Sequence, residues 1–154
     1  NYLWEGDARL LGETGSHVVH CPRSHAYFGH HRFPWRALAG TGVNLCLGTD
    51  SLVSTKPTAR RKAVELDMFE EMRAFESVSA KGRFEEIVRM ATINGAKALS
   101  LSGQVGELCA GGRADLIVIP FCEELANAYQ GVVHHKGPVV ASMIDGQWAI
   151  SAKN

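Results

Sequence analysis

The sequence predicts an α/β fold over residues 1–102 and a small β module over residues 103–154. Helical patterns alternate with short apolar runs in the first part, which implies a parallel sheet. The apolar run Val43–Leu47 ends in Gly48-Thr49-Asp50-Ser51. This places a carboxylate at the carboxyl end of a buried strand, which is where the active-site residues of α/β barrels lie. Glycines then punctuate the chain from residue 103 onward, between short strand patterns.

The elements predicted before Asp50 run in the order helix, strand, loop, helix and strand. The predicted ranges are residues 5–14, His17–Cys21, Pro34–Ala39 and Val43–Leu47, with the loop between the second and third. Cys21 and Asp50 lie about 30 residues apart, close to the length of one strand-helix-strand unit. We therefore expect the two strands to be parallel neighbours and the loops after them to share one face.

A loop and two packing helices are predicted after Asp50. Ser51–Arg60 is rich in Ser, Thr and Pro, and we expect it to form a loop over the face that Asp50 occupies. Apolar spacing predicts helices over Val64–Phe75 and Phe84–Leu99. The small residues within 91–96 would let the second helix approach a neighbour closely.

The β module is predicted from one strand and one hairpin. Ala114–Ile119 has the pattern of a strand, and Pro120 ends it. Val139–Ile144 and Trp148–Ile150 are joined through an Asp-Gly pair, which is typical of a tight hairpin turn. His134-His135 is interpreted as a turn of this module without chemistry.

Composition excludes several classes of partner. The 154 residues carry 16 basic and 16 acidic side chains, so no net positive surface favours nucleic acid or an anionic membrane. The apolar runs are far shorter than the roughly 18 residues of a membrane span, and no leader pattern opens the chain. We therefore expect a cytoplasmic protein whose cysteines are reduced. The composition is compatible with a monomer and with a homo-oligomer.

Four motifs in this order carry a family resemblance. They are His20-Cys21-Pro22-Arg23-Ser24, Leu47-Gly48-Thr49-Asp50-Ser51, the run 89–96, and Val105–Leu108 followed by 111–116. Together they resemble the carboxyl-terminal part of the amidohydrolase superfamily. The similar branch is that of the aminohydrolases, which includes cytosine, guanine, S-adenosylhomocysteine and aminodeoxyfutalosine deaminases and triazine chlorohydrolases.

The resemblance implies the carboxyl-terminal part of a TIM-type (β/α)8 barrel with a small β-sandwich module. It also implies a metal-dependent hydrolase that deaminates an amino-substituted N-heterocycle such as a purine, a pyrimidine or a nucleoside-like compound. The family's other metal ligands and its catalytic His have no counterpart here, so we expect them before Asn1, in the amino-terminal part of the same barrel. The chain alone is then expected to be inactive.

The resemblance assigns the metal and the proton transfer to one residue. Asp50 matches the family's ligand and proton shuttle for one divalent metal, zinc or alternatively iron. His20 stands where the family has no ligand, so it is expected to shape the pocket or to hold a loop by hydrogen bonds. Ser24 and His25 follow the same strand and are candidates for contact with substrate.

Arg23 and Ser51 complete the candidate residues. Arg23 could bind an acidic group of the substrate, and Ser51 could orient Asp50. The alternatives are a solvated arginine, a loop that is fixed by the serine hydroxyl beside a solvated histidine, and an aspartate that ends a strand as a turn or cap residue.

Three further alternatives concern function. Five histidines lie within residues 17–31 together with Cys21, but their spacing lacks the paired ligands of a structural zinc site. The chain could be a non-catalytic truncated piece or an interaction subunit that binds through open strand edges. It could also belong to an amidase or a chlorohydrolase of the same superfamily.

Overall fold

Strands and helices alternate up to residue 47, and a series of helices follows. The computed structural model describes residues 2–57 and 63–151. Its strands are β1 (His17–His20), β2 (Asn44–Leu47), β3 (Leu116–Val118), β4 (Ala141–Ile144) and β5 (Gln147–Ile150). Its helices are α1 (Asp7–Glu13), α2 (Pro22–Tyr27), α3 (Trp35–Ala39), α4 (Met68–Val78), α5 (Phe84–Ala91), α6 (Ile93–Ala98) and α7 (Ala128–His134). Short 3₁₀ turns occupy Leu52–Ser54 and Leu125–Asn127.

β1 and β2 form a parallel pair, as the spacing of Cys21 and Asp50 predicts. His17 pairs with Asn44 and His20 pairs with Leu47, so both strands end at the same edge. Helices α3, α4, α5 and α6 all pack against β2, and its last three residues are buried. The α/β class is therefore confirmed, and the segments that follow the two strands begin side by side.

Helix α2 occupies the segment for which a loop is predicted, and that prediction is wrong for residues 22–27. The observed strand β1 ends at His20, one residue before the predicted end, because Cys21 is the N-cap of α2. Pro22 is the first residue of the helix, a position that its fixed φ favours. The helix has six residues, too few for an apolar period to reveal it.

The two predicted packing helices have different ends in the structure. α4 begins at Met68, because the Asp67 carboxylate accepts the N–H groups of Phe69 and Glu70 as an N-cap. The helix predicted over Phe84–Leu99 is broken at Thr92, whose φ of −131° and ψ of −95° separate α5 from α6. Of the predicted loop Ser51–Arg60, residues 58–60 lie outside the described residues.

The main core lies between β2 and the helices that surround it. Its buried side chains include Phe33, Trp35, Leu38, Leu45, Leu47, Met72, Phe75, Ile87, Met90 and Val133. Val133 comes from α7, which packs on α4 and α5 although it lies in the segment predicted as the β module. The interpretation of His134 as a turn residue is wrong, since it ends α7.

β3, β4 and β5 form a separate antiparallel sheet in that order. β4 and β5 are the predicted hairpin, and its turn residues Asp145 and Gly146 have φ values of 49° and 78°. Positive φ at both turn residues is what a tight hairpin with the usual strand twist requires. No helix within residues 2–57 and 63–151 has the length and apolar character to cross a membrane.

Candidate active site

Asp50 lies at the edge where β1 and β2 both end. It is exposed, and its φ of 53° puts it in the left-handed region, which Asp tolerates better than most residues. Gly48 leads into this turn beside β1, and a Cβ on it would lie 2.8 Å from Cγ1 of Val19. The glycine therefore lets the end of β2 lie close to β1, and the turn presents the carboxylate of Asp50 beyond the sheet.

Two hydroxyl groups hold one oxygen of this carboxylate. Ser24 Oγ donates to Asp50 Oδ2 at 2.6 Å, and Ser54 Oγ donates to the same oxygen at 2.8 Å. These hydrogen bonds lower the pKa of Asp50 below its ordinary value, the bond from Ser24 having the larger effect. No residue within the described ranges donates to Oδ1, so the second oxygen is open to a ligand.

Ser51 lies next to Asp50 but bonds to Ser54 instead. Its N–H donates to Ser54 Oγ at 3.3 Å, and the two side chains form a capping box around the 3₁₀ turn Leu52–Ser54. Ser51 therefore fixes the position of Ser54, and Ser54 contacts the carboxylate of Asp50.

His20 is the last residue of β1 and is buried. Its ring stacks on Phe33 with centroids 3.9 Å apart and packs edge-on against His25. Burial, with the charge of His25 as a smaller cause, lowers the pKa of His20 to about 3, so its imidazole is neutral at physiological pH. His20 Nδ1 has no hydrogen-bond partner among the described residues, and the ring acts through packing.

His25 and the segment after it form one wall of a pocket beside Asp50. His25 Nε2 lies 2.6 Å from the carbonyl of His31, and His30 Nδ1 lies 3.2 Å from the hydroxyl of Tyr2. The pocket has a volume of about 240 Å³, and its lining includes His20, Ser24, His25, Phe28, His30 and Asp50. Four of the predicted site residues thus share one cavity.

Arg23 lies apart from this group and contacts two glutamates. Its Nη1 donates to the carbonyl of Glu65 at 3.0 Å and lies 3.7 Å from Glu71 Oε1. Arg23 lines a separate pocket with Tyr27 and Lys56. The structure therefore brings together Asp50, Ser24, His20 and His25, but it does not bring Arg23 into the cavity beside Asp50.

Glu71 is a buried acid that the sequence reasoning missed. Its carboxyl has no exposed surface, and Oε2 accepts the backbone N–H of Arg23 at 3.0 Å. Burial raises the pKa of Glu71 to about 7, although the N–H and the charge of Arg23 oppose the change. A signal was present, because Glu71 occupies the same helical face as Met68, Met72 and Phe75.

Ser54 is the second residue that was missed. The sequence places it in a predicted loop, yet it is buried and donates to Asp50. A serine four positions after a strand-end carboxylate is a weak signal, since such residues are common in turns.

Asp50 fits a divalent metal as one ligand of an incomplete set. The open Oδ1 belongs to an ionised carboxylate that is anchored through its other oxygen, which suits a hard or borderline cation. Within residues 2–57 and 63–151, no group of three His, Cys, Asp or Glu side chains could hold a metal. A metal site that used Asp50 would therefore need ligands in addition to the side chains within these ranges.

Comparisons with known proteins agree on the family. The model of the amidohydrolase family matches residues 2–149. The chain is 37% identical over 140 residues to a 5-methylthioadenosine/S-adenosylhomocysteine deaminase of Syntrophobacter fumaroxidans, covering 86% of this chain and 30% of that protein. It is 36% identical over 145 residues to a 5'-deoxyadenosine deaminase of Methanoregula boonei, with the same coverage of 86% and 30%.

Solved structures give the same result for the fold. An adenosine deaminase from Xanthomonas campestris, determined with bound zinc, matches with a TM-score of 0.82 and 29% identity over 97% of this chain and 35% of that one. The aminofutalosine deaminase of Helicobacter pylori matches with a TM-score of 0.73 and 28% identity, covering 88% of this chain and 33% of that one.

Two facts follow from these matches. The chain spans about 30% of the length of the curated relatives, so it corresponds to one part of those proteins. The relatives are named deaminases, which are hydrolases of carbon-nitrogen bonds, in agreement with the class that the four motifs imply. The predicted resemblance is confirmed: the chain belongs to the amidohydrolase family.

Proposed function

We propose that the complete protein is a metal-dependent hydrolase that deaminates an amino-substituted N-heterocycle. By the complete protein we mean this chain together with the segments that its longer relatives have in addition. A purine nucleoside or a similar compound is the substrate class, which the names of the relatives support. The observation that carries the proposal is the carboxylate of Asp50, anchored through Oδ2 and open at Oδ1.

This chain supplies the carboxyl-terminal part of the fold. Residues 1–102 contribute the last units of a TIM-type (β/α)8 barrel, and residues 103–154 contribute a small β-sandwich module. The parallel pairing of β1 and β2 and the TM-score of 0.82 support this assignment. The other metal ligands lie in the amino-terminal part of the same barrel.

Asp50 has two tasks in this site. Its carboxylate would hold the divalent metal through the open Oδ1, and this metal would be zinc, which the Xanthomonas campestris structure supports, or alternatively iron. A bound divalent metal supplies Lewis-acid activation of water, which acts as the nucleophile. The lowered pKa of Asp50 keeps its carboxylate ionised at neutral pH, as a metal ligand must be.

The carboxylate of Asp50 also moves a proton. Water attacks the ring carbon that bears the amino group, and Asp50 accepts the proton that this water loses. Asp50 then passes the proton to the amino nitrogen, the carbon-nitrogen bond breaks, and ammonia leaves. Ser24 and Ser54 hold the carboxylate in place, and the rings of His20 and His25 shape the pocket that receives the heterocycle.

The test compares two aspartates that share an unusual backbone conformation. Asp50→Asn in the complete protein should lower ammonia release by at least about a hundredfold, because it removes the proton acceptor. Bound metal should fall in parallel. Asp145→Asn is the matched control, since Asp145 also has a positive φ but lies in the hairpin turn. Near-normal ammonia release with Asp50→Asn contradicts the proposal.

A panel of leaving groups separates the related activities. Adenosine, 5'-deoxyadenosine, 5-methylthioadenosine and guanine should release ammonia, whereas an amide would release an amine and a chlorotriazine would release chloride. Release of amine or halide without ammonia would identify an amidase or a chlorohydrolase that uses the same aspartate.

A further inference from the structure

Helix α2 is capped by a side chain from another helix. The first N–H groups of a helix have no partner within it, and the N-cap residue Cys21 makes no side-chain hydrogen bond to them. Glu71 on α4 provides one instead, because its Oε2 accepts the N–H of Arg23, the second residue of α2, at 3.0 Å. Glu71 thus connects the beginning of α2 to the first turn of α4.

The capped turn carries the hydroxyl that contacts Asp50. Ser24 directly follows Arg23, is buried, and donates to Asp50 Oδ2 at 2.6 Å. Because Ser24 lies in the first turn of α2, the position of that turn sets the distance between the hydroxyl and the carboxylate.

The presence of a glutamate at the buried position 71 is explained by its contact with α2. A carboxyl group without exposed surface is costly unless a polar partner compensates it, and a Leu or Met at this buried position would avoid that cost. The two contacts described for Glu71 both go to Arg23, one to its N–H and one to its guanidinium. The neighbouring Glu70 instead pairs with Arg73 on its own helix at 2.8 Å.

We propose that Glu71 is a positioning residue, which holds the first turn of α2 so that Ser24 meets the carboxylate of Asp50. The inference rests on the proposed function for its effect on turnover, while the structural link from Glu71 to α2 does not depend on it. Glu71 touches neither substrate nor metal in this account, and it acts only through Ser24.

A double-mutant cycle in the zinc-loaded complete protein tests the link. Glu71→Met should lower kcat for ammonia release by about tenfold or more, the usual effect of removing a supporting hydrogen bond beside a metal ligand. Glu71→Gln should keep most of kcat, since its amide oxygen still accepts the N–H of Arg23. In a Ser24→Ala background, Glu71→Met should cause little further loss, because the two residues act as one unit.

Amide hydrogen exchange provides a readout that does not depend on turnover. Glu71→Met should speed exchange in residues 22–28 roughly fivefold, the factor that corresponds to the loss of a helix cap. Glu70→Met is the matched control and should leave exchange in α2 and kcat unchanged. If the wild-type protein releases no ammonia, the proposed function fails while this measurement still decides the role of Glu71.

Several outcomes overturn the proposal. Equal losses of kcat from Glu71→Met in the wild-type and Ser24→Ala backgrounds would show that Glu71 does not act through Ser24. If Glu71→Met leaves the amide exchange rates of α2 unchanged, Glu71 does not stabilise the beginning of that helix. If Glu71→Met does not fold, the Gln variant decides, because a folded Glu71→Gln protein with kcat as low as that of Ser24→Ala contradicts the proposal.

Discussion

The hydroxyl of Ser24 lies 2.6 Å from Oδ2 of Asp50, although the two residues belong to segments that follow different strands. The parallel register of β1 and β2 brings them together, because His20 and Leu47 are paired at the ends of those strands. The contact between Ser24 in α2 and Asp50 in the turn after β2 therefore depends on the pairing of the two strands. In this contact Oδ2 of Asp50 is hydrogen-bonded, and Oδ1 stays open.

Loss of either serine hydroxyl should weaken metal binding. Ser24→Ala and Ser54→Ala each remove a donor to Asp50 Oδ2, and we expect the dissociation constant for zinc to rise about 10- to 100-fold. Equilibrium dialysis of the complete protein measures this change. Ser77→Ala is the control, because the Ser77 hydroxyl donates to a carbonyl of its own helix, that of Ala74. Unchanged zinc affinity in both variants would show that Asp50 needs no support.

The raised pKa of Glu71 should make stability depend on pH. In the unfolded chain this carboxyl has its ordinary pKa of 4.5, and in the folded chain burial raises the pKa to about 7. The folded state therefore binds more protons between these values, and its free energy of unfolding decreases as pH rises from about 4.5 to 7. Glu71→Gln should remove this decrease.

Chemical denaturation at a series of pH values checks the effect of Glu71→Gln. The variant should gain stability relative to the wild type as pH rises through that window, and the difference should level off above it. One pKa unit between the folded and unfolded chain corresponds to about 1.4 kcal/mol. A difference that is constant between pH 4.5 and 8 would contradict the raised pKa of Glu71.

Two glycine substitutions should have opposite effects. Gly48→Ala places a Cβ 2.8 Å from Val19 Cγ1 and 3.2 Å from Cys21 Sγ, so it should push β2 from β1 and cost about 1–3 kcal/mol of stability. Gly95 lies in helix α6, and a Cβ there meets no atom within 4 Å. Gly95→Ala should therefore stabilise the protein by up to about 1 kcal/mol. Thermal unfolding distinguishes the two, and equal effects would refute the close approach at Gly48.

Asn94 should stabilise the contact between α6 and β2. Its Nδ2 donates to the carbonyl of Leu45 at 2.8 Å, and its own carbonyl accepts from Asn44 Nδ2 at 2.9 Å. Asn94→Ala leaves the Leu45 carbonyl without its side-chain donor and should lower the free energy of unfolding by about 1–3 kcal/mol. The exposed Asn127 provides the control, because Asn127→Ala removes no side-chain cap hydrogen bond. A loss no larger than that of the control would argue against this role.

The sequence predicted those features that local patterns encode. An apolar run followed by Gly-Thr-Asp indicates a strand end with a carboxylate, and Asp145-Gly146 between two apolar runs indicates a hairpin. The parallel pairing followed from the spacing of Cys21 and Asp50. Each of these inferences uses residues that are close in the chain or separated by one standard unit.

The sequence did not predict those features that distant residues determine. Helix α2 is short and receives its cap from Glu71, which is 48 residues away in the sequence. No nearby cap residue therefore indicates where the helix begins. The break at Thr92 accompanies the hydrogen bonds of Asn94 to β2, which a helical period does not reveal. The role of Ser54 required the turn Leu52–Ser54 to fold back on Asp50.

The position of Val133 has a consequence for engineering this protein. The side chain is completely buried between α4 and α5, although it belongs to a segment beyond the first 102 residues. Deleting all residues after 102 would leave a cavity in the core next to α4, the helix that contains Glu71. The antiparallel sheet can therefore be exchanged as a separate unit only if α7 is kept with the preceding helices.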